Sequence, residues 1–347
     1  MFGSVFFVLT AEELVAAGRL DPDGDVRQAL DHAAEVIADP ATATWVRRKW
    51  GDEYLEKEDV FYRMLLILGL STYEKITGDR NYHDLTVEQA DMLAGELLAA
   101  DHHLADDYPN ECYPNDVLWA AVAVQRGGSL EGRRYDDLSR ELMRVLNGPV
   151  KTEHGLPAFR IDAVSLRQYQ PARGCGNSGI LNLAGELDPA IANDWYAAYV
   201  DNYWEDGWLK GFREMPRGEP DIADVDSGPV VLGVGSVASA FGIGAARAVG
   251  RHDHAAQLSM EALSASWPTP FGFLVPGVLG LVAADGWCFG ELAMYFAMTR
   301  PNYSGRSVPH DGSVPPLVWL LGLGYLGAGF ALASWQYLAW RRTGRGR

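Results

Sequence analysis

The sequence predicts an all-α protein in which helical hairpins close into a ring and one C-terminal helix crosses a membrane. Three observations predict this fold. A glycine-centred turn recurs at intervals of about 54 residues, almost no segment alternates as a strand does, and residues 317–340 carry no formal charge. The chain has 347 residues, of which 48% are hydrophobic. It is therefore long enough to bury a sizeable core.

The recurring turn has the composition of a helix stop followed by a restart. Within residues 77–85, Gly78 fits the left-handed conformation that ends a helix, and Tyr82 packs where the next helix begins. A period of this length fits one hairpin of two helices. Five or six hairpins are able to close into a ring because each buries its apolar face on its neighbours. The clearest copies begin at Gly78, Gly132 and Gly250, and weaker ones at Gly24, Gly185 and Gly305.

Two segments have the character of buried helices in such hairpins. Residues 53–76 show helical spacing, with Phe61, Leu65 and Leu68 near one stripe. Residues 230–246 carry no charge and are rich in small side chains. Since Gly and Ser dilute their hydrophobicity, a close-packed inner helix is favoured there over a second membrane span.

Residues 317–340 are the predicted transmembrane helix. At about 1.5 Å per residue, they span a hydrocarbon core of about 30 Å with some tilt. Trp319 and Trp335 lie near its two ends, where aromatic rings favour the interface, and Pro315 and Pro316 separate it from the preceding chain. A buried core helix is the alternative. The predicted organisation is a domain over 1–305, a linker over 306–316, the membrane helix over 317–340 and a basic tail over 341–347.

The basic tail sets the expected orientation in the membrane. The tail over 341–347 contains four arginines and no acid. The positive-inside bias places it in the cytoplasm, so the domain is expected on the other side. Export requires a signal, yet residues 1–14 contain no basic n-region and the apolar run over 5–9 is too short for one. We therefore expect a start upstream, with post-translational insertion of the tail against the charge rule as the alternative.

Charge and cysteine content exclude several classes of function. The chain carries 29 basic and 46 acidic residues, a net charge of −17, which disfavours nucleic acid as a partner. Three cysteines do not form a disulfide framework, and no spacing resembles a zinc site. The glycine-rich run over 174–179 lacks the lysine of a phosphate-binding loop. We therefore expect neither a nucleotide cofactor nor a metal.

Five polar loops recur with the same period, at the opposite end of the hairpins from the glycine turns. In a ring of hairpins every second turn points to one face. We therefore expect these loops to converge on one mouth, where the N-termini of inner helices supply amide donors. All three cysteines lie in these loops, together with several carboxylates. The loops are residues 57–63, 111–116, 174–179, 224–229 and 285–291.

We predict that this mouth carries out acid/base and thiol chemistry. Crowded carboxylates in a partly desolvated site raise one another's pKa, whereas a thiol at a helix N-terminus is shifted toward thiolate. The alternative is that Asp116, Asp224 and Asp226 are helix caps and that the cysteines are small buried apolar residues. The candidate catalytic residues are Asp59, Glu111, Cys112, Cys175, Asp226 and Cys288. The candidate substrate-binding residues are Tyr62, Arg63, Tyr113, Asn115, His154, Asn177, Asp224, Trp287 and Glu291.

Two motifs resemble known families. The T-G-D-R-N-Y turn at 77–82 with its copies, and one polar loop per hairpin, resemble the (α/α)6 toroids of many glycoside hydrolases over residues 20–305. The E-C-Y-P-N-D run at 111–116 is similar to the linalool dehydratase-isomerase-like proteins. That resemblance implies a toroid with a cofactor-free acid/base site that uses cysteine, tyrosine, aspartate and histidine.

Three functions of different classes follow from these observations. The first is a membrane-anchored, cofactor-free lyase or isomerase acting on a small, largely apolar alcohol or alkene. The second is a glycoside hydrolase or polysaccharide lyase, which needs two carboxylates flanking a sugar. The third is a non-enzymatic membrane-anchored protein that presents a binding face. The expected partners are a small-molecule or carbohydrate substrate and a membrane. A homo-oligomer is compatible with the sequence, and fold alone decides none of these functions.

Overall fold

The computed structural model describes residues 1–43, 47–48, 51–53, 55, 60–269, 272–274 and 289–343. These residues form a mostly helical protein. The helices are α1 Phe2–Ala16, α2 Arg27–Ala38, α3 Val60–Thr77, α4 His83–Ala99, α5 Pro114–Ser129, α6 Asp136–Leu146, α7 Gly174–Leu187, α8 Pro189–Tyr203, α9 Ser236–Ala248, α10 His252–Ala265, α11 Phe289–Thr299 and α12 Pro316–Thr343, and a 3-10 turn lies at Pro40–Ala43.

Short antiparallel β-ladders lie between the helices. Each pairs two segments of two or three residues, too short to produce visible alternation in the sequence, which is why almost no strand is predicted there. The strands are β1 Arg160–Ile161 with β2 Gln168–Gln170, β3 Trp204–Asp206 with β4 Lys210–Phe212, β5 Val230–Val231 with β6 Val234–Gly235, and β7 Trp267–Thr269 with β8 Gly272–Leu274.

The odd-numbered helices form a closed cycle of contacts. Helices α1, α3, α5, α7, α9 and α11 contact one another in that order, and α11 contacts α1 again. Helices α2, α4, α6, α8 and α10 each pack against the odd-numbered helix that precedes them in the chain. We call the first set the inner helices and the second set the outer helices. Each inner helix with the outer helix that follows it therefore makes one hairpin, as the repeat predicts.

An aromatic cluster joins the inner helices. Phe6 of α1 and Phe296 of α11 lie 4.9 Å apart between ring centroids. Trp119 of α5 lies 5.7 Å from Phe296, and Phe241 of α9 lies 5.7 Å from Phe6. Four of the inner helices thus contribute one ring each, and burying such large side chains together is a main source of stability.

Glycines end several helices in the left-handed conformation, as the repeat predicts. Gly78, Gly132, Gly250 and Gly305 have φ of 70°, 70°, 73° and 66°. The prediction is wrong at two places. After α1 the left-handed residue is Gly18 rather than Gly24. Gly185 lies inside α7, where an added Cβ would come within 2.7 Å of Tyr303, so this glycine serves close packing rather than a turn.

A buried ion network holds the C-terminal ends of the inner helices together. The Arg126 guanidinium donates to Glu12 Oε2 at 2.7 Å and to Glu186 Oε1 at 2.6 Å. It also donates to Thr72 Oγ1 at 3.1 Å, and Tyr303 Oη donates to Glu186 Oε1 at 2.8 Å. The network links α1, α3, α5 and α7 at the end of the ring that carries the glycine turns.

The apolar segments lie where their composition favours them. Val5, Val8 and Leu9 of α1 are fully buried, so the short apolar run near the N-terminus belongs to the core. Of the inner helix favoured over 230–246, residues 236–246 lie in α9, whereas residues 230–235 form the β5–β6 hairpin. Within the described residues, one helix is long and apolar enough to cross a membrane, over 316–341, and its apolar window is entirely unburied.

Candidate active site

The N-termini of three inner helices meet at one end of the ring, which we call the mouth face. α5 begins at Pro114, α7 at Gly174 and α9 at Ser236. An added Cβ on Gly174 would come within 3.0 Å of Ala238 Cβ, and one on Gly179 within 2.7 Å of Asn115 Oδ1. The N-terminal turns of these helices are therefore in close contact.

Backbone hydrogen bonds join the loops that precede these helices. The Ile161 amide donates to the Cys112 carbonyl at 3.0 Å, and the Gly174 amide donates to the Glu214 carbonyl at 2.8 Å. The Glu214 amide donates to the Gly233 carbonyl at 3.0 Å. The segments over 111–116, 174–179 and 224–229 thus lie on one face, as predicted, although 174–179 form the first turns of α7 rather than a loop. Of the other two segments, residues 57–59 and 285–288 lie outside the described residues.

An arginine between two carboxylates organises this face. Arg173 Nε donates to Glu214 Oε1 at 2.8 Å, and both terminal nitrogens donate to the Asp224 carboxylate at 2.8 and 2.9 Å. Its guanidinium also stacks over Phe159, 4.6 Å from the ring centroid. The Arg173 hydrogen bonds hold the pKa of Asp224 below its usual range, whereas burial raises the pKa of Glu214. Two acids against one arginine leave the cluster with a net negative charge.

Cys175 lies against this cluster as a thiol. Its Sγ donates to Glu214 Oε1 at 3.1 Å, and its amide donates to Glu214 Oε2 at 3.1 Å. Burial, and secondly the Glu214 charge, raise the pKa of Cys175 well above its ordinary value. The expectation of a thiolate at a helix N-terminus is therefore wrong here, because desolvation and an adjacent carboxylate outweigh the helix dipole.

Cys112 is part of the protein core. It is fully buried, and its backbone pairs with Ile161. Burial, with the surrounding aspartates, raises its pKa well above the ordinary value. The thiolate expectation is wrong here too, and the alternative of a small buried apolar residue describes its surroundings.

Asp116 and the exposed Asp226 lie close enough at the mouth face for the charge of Asp226 to act on Asp116. Asp116 lies in the first turn of α5 and is partly buried. Burial raises its pKa to about 7, against the Asn115 amide that lowers it, and the Asp226 charge raises it further. The pKa of Asp226 is also raised, by burial and then by Asp224, with Arg173 opposing. Because the negative charge of Asp226 acts on Asp116, Asp226 ionises first.

One asparagine contacts Asp116, and a second contacts the backbone of Arg173. Asn115 Nδ2 donates to Asp116 Oδ1 at 2.8 Å, and Asn115 Oδ1 is buried without a hydrogen-bond partner. Asn177 Nδ2 donates to the Arg173 carbonyl at 2.7 Å, which fixes the first turn of α7. The Asn115 side chain therefore holds the acid with its amide, while its own carbonyl oxygen has no hydrogen-bond partner.

Aromatic and charged side chains form a rim beside the pair. Tyr113 lies edge-on to Phe159, with ring centroids 5.4 Å apart, and Tyr113 Oη donates to Glu111 Oε2 at 3.0 Å. Burial and Glu111 raise the pKa of Tyr113, so the phenol stays protonated. Arg160 stacks over Tyr169 at 5.6 Å, and its Nε is buried without a partner. The rim thus offers flat apolar surface beside an unused donor.

Two of the remaining predicted site residues, Tyr62 and Arg63, belong to the core. Arg63 is fully buried between α3 and α4, where it donates to Gln89 at 3.1 Å and to Glu96 at 2.5 Å. Tyr62 is a buried core residue of α3. His154 lies in a loop where its Nε2 is 3.1 Å from Glu219 Oε1. Glu291 is in the first turn of α11. The candidates Asp59, Trp287 and Cys288 lie outside the described residues.

The sequence does not single out Arg173 and Glu214 as functional. They are 41 positions apart, and neither belongs to a recognisable motif. One signal was available for Arg173, because it directly precedes the unusual G-C-G-N-S-G run, at the N-cap of α7. Asp116 was named only as part of a polar loop, since its raised pKa depends on burial that spacing does not reveal.

Comparison with known proteins gives one structural similarity and no sequence match. No protein-family model and no curated protein matches the chain. Among solved structures, the chain is similar to a family 105 glycoside hydrolase from C. acetobutylicum ATCC 824. The TM-score is 0.48 and the sequence identity 13%, over 85% of this chain and 98% of that chain. A similarity of this degree assigns no role to any residue of this chain.

Proposed function

We propose that the protein is an enzyme that hydrolyses a glycosidic bond by acid/base catalysis with Asp116 and Asp226. One observation carries the proposal. Burial raises the pKa of Asp116 to about 7, and the charge of the neighbouring Asp226 adds to that shift. Two carboxyl groups whose environments separate their pKa values make an acid and a base at neutral pH. Glycoside hydrolysis needs this combination.

The reaction follows from the two protonation states. Asp116 as carboxylic acid donates its proton to the glycosidic oxygen while the bond from that oxygen to the anomeric carbon breaks. The Asp226 carboxylate accepts a proton from water, whose oxygen forms the new bond to the anomeric carbon. Asp116 ends as carboxylate and Asp226 as acid, and proton exchange with solvent restores both. The chain's own residues suffice for this chemistry.

The surroundings of the pair suit a polyhydroxylated substrate. Asn115 Oδ1 and Arg160 Nε are a buried acceptor and a buried donor without partners. Hydroxyl groups both donate and accept, so a sugar satisfies both atoms, whereas an apolar alkene satisfies neither. Tyr113 and Phe159 supply rings beside these atoms, on which the apolar face of a sugar is able to stack.

A lyase or isomerase of the linalool dehydratase-isomerase type is the second candidate. It shares the acid, since protonated Asp116 is equally able to protonate a leaving hydroxyl. Cys175 favours it because its Sγ–H is 3.1 Å from Glu214 Oε1 at the mouth face. The raised pKa values of Cys112 and Cys175 make both thiols weaker acids than that interpretation needs. For this reason we rank hydrolysis first.

The architecture that we propose is an (α/α)6 toroid anchored by α12. The closed cycle of inner-helix contacts supports the toroid, and the length and exposure of the helix over 316–341 support the anchor. The arginines beyond the helix support a cytoplasmic C-terminus and an extracytoplasmic domain.

The test is hydrolysis measured on matched variants. The full chain in detergent is offered oligosaccharides, and new reducing ends are counted for wild type, Asp116→Asn, Asp226→Asn and the control Asp201→Asn, which alters an exposed residue of α8. We expect each of the first two to lose activity by about 10²-fold to 10⁴-fold and the control to lose none. Unchanged hydrolysis in Asp116→Asn would refute the proposal. Dehydration of a terpenoid alcohol without hydrolysis would favour the second candidate.

A further inference from the structure

The path of the chain after α11 carries the membrane helix toward the mouth face. The Tyr303 amide donates to the Ala248 carbonyl at 2.9 Å, and the Val308 amide donates to the Gly250 carbonyl at 2.8 Å. The Asp253 amide then donates to the Val308 carbonyl at 3.3 Å. The segment over 303–308 therefore starts at the glycine-turn end of the ring and enters beside the first turn of α10.

Helix α10 runs from the glycine-turn end to the mouth face. It begins directly after the left-handed Gly250. Near its other end, Glu261 accepts the Lys210 amide of β4 at 3.1 and 3.2 Å, and β4 lies beside β6, which leads into the N-terminus of α9. Gln257, in the middle of α10, donates to Ser313 Oγ at 3.5 Å. The segment over 308–315 therefore advances along α10 toward the mouth face, and α12 begins three residues after Ser313.

Helix α12 leaves the domain beside α10. It contacts α10, and Leu317, Val318 and Leu321 are its partly buried residues. Every residue from 322 to 341 is exposed, so the helix does not run back along α10. Those 20 positions rise about 30 Å at 1.5 Å each, which is the thickness of a hydrocarbon core. No spacer is left between the domain and the bilayer.

Apolar side chains stand exposed on the loops of the same face. Leu232 occupies the tip of the β5–β6 hairpin with φ of 52° and 69% exposure. A leucine in the left-handed region is unfavourable where glycine or asparagine would be relaxed, and here it faces solvent. The hairpin stretch over 228–235 contains no charged residue. The other exposed apolar residues of the mouth-face loops are Val164, Trp208, Ile222, Val225 and Val231.

We infer that the mouth face rests on the bilayer that α12 spans, with the tip of the β5–β6 hairpin in the headgroup region. The site would then open toward lipid headgroups, and its substrate class is the glycosylated headgroup of a membrane lipid. The inference rests on the proposed anchor and, for the substrate, on the proposed hydrolysis. Apolar tips favour the interface, and the net charge of −17 favours a zwitterionic over an anionic lipid surface.

Depth-dependent quenching tests the docking without any reference to activity. The full chain is reconstituted in phosphatidylcholine vesicles as Leu232→Cys, labelled with an environment-sensitive fluorophore, and quenched by lipid carrying a nitroxide near the headgroup. Arg134→Cys is the matched control, since Arg134 is exposed at a glycine turn on the opposite end of the ring. The native cysteines can also take up the fluorophore, so the signal of a wild-type chain labelled in the same way is subtracted from that of each variant.

The outcomes separate the docking from the function. We expect at least threefold stronger quenching at position 232 than at position 134, and a weaker difference in vesicles rich in phosphatidylglycerol. Equal quenching at both positions, or none at 232, overturns the docking. In the same phosphatidylcholine vesicles, faster cleavage of a glycolipid than of its water-soluble headgroup supports the substrate class, and equal rates overturn that part. If the wild-type chain hydrolyses neither substrate, the proposed function is refuted, whereas the conclusion on docking, which depends only on quenching, is unaffected.

Discussion

Replacing Asp116 by asparagine should stabilise the protein at alkaline pH and much less at acid pH. The folded-state pKa of Asp116 is raised from 3.8 to about 7. The native state therefore binds this proton more tightly than the unfolded chain. The contribution of Asp116 to the free energy of unfolding falls as pH rises from about 4 to about 7, and it stays unfavourable at higher pH. Asparagine removes the penalty because it carries no charge at any pH.

The magnitude follows from the size of the shift. About three pKa units correspond to roughly 4 kcal/mol at 1.36 kcal/mol per unit. Asp116 keeps some solvent exposure, so we halve this to about 2 kcal/mol at pH 8. At pH 5 the stabilisation gained by Asp116→Asn falls to less than about 1 kcal/mol, because Asp116 is then mostly protonated in the folded state. A gain of about 2 kcal/mol raises the melting temperature of a chain of this size by roughly 3 °C.

The assay is thermal unfolding of the full chain in detergent, followed by circular dichroism at pH 5 and pH 8. Asp201→Asn is the control, because Asp201 is exposed on α8. We expect Asp116→Asn to melt about 3 °C higher than wild type at pH 8, with a smaller difference at pH 5 and none for the control. A variant that melts at or below the wild-type temperature at pH 8, or gains equally at both pH values, would refute the reasoning.

Three further predictions concern the neighbouring groups. Glu214→Gln leaves Arg173 with one carboxylate and should lower the free energy of unfolding by about 3 kcal/mol in denaturant titrations, whereas an unchanged midpoint would contradict the ion cluster. Cys175 should react with iodoacetamide at pH 8 at least about tenfold more slowly than a free thiol, by peptide mass mapping, and faster reaction would show a thiolate. His254 has a pKa lowered to about 4 by burial, so its ring signals should not titrate between pH 5 and 8 in NMR spectra, and a midpoint near 6.5 would contradict its burial.

The sequence predicted the periodic features of the fold well. Apolar spacing and the turns at Gly78, Gly132 and Gly250 depend on nearest-neighbour chemistry, and the structure places these glycines in the left-handed conformation. The prediction of a turn at Gly185 is wrong because, in sequence, a glycine needed for close helix packing looks the same as one needed for a turn. The β-ladders were not predicted because two or three residues show no period.

The site was predicted as a region better than as a set of residues. Loop position indicates which end of the ring a residue lies at, but not where its side chain points. Arg63 therefore turned out to face α4. The pairing of Arg173 with Glu214 joins segments 41 positions apart, which one sequence does not reveal. The thiol pKa values depend on a balance between helix dipole and burial, and only the coordinates supply the burial.

The central claim is that Asp116 and Asp226 are a coupled acid and base. The most direct test follows the side-chain carboxyl carbon of Asp116 by NMR across a pH titration, in wild type, in Asp226→Asn and in the control Asp201→Asn. The account predicts a midpoint of about 7 in wild type, the same midpoint in the control, and a lower one in Asp226→Asn, because removing the neighbouring negative charge makes Asp116 easier to ionise. A wild-type midpoint near 4, or a midpoint that Asp226→Asn leaves unchanged, would contradict it.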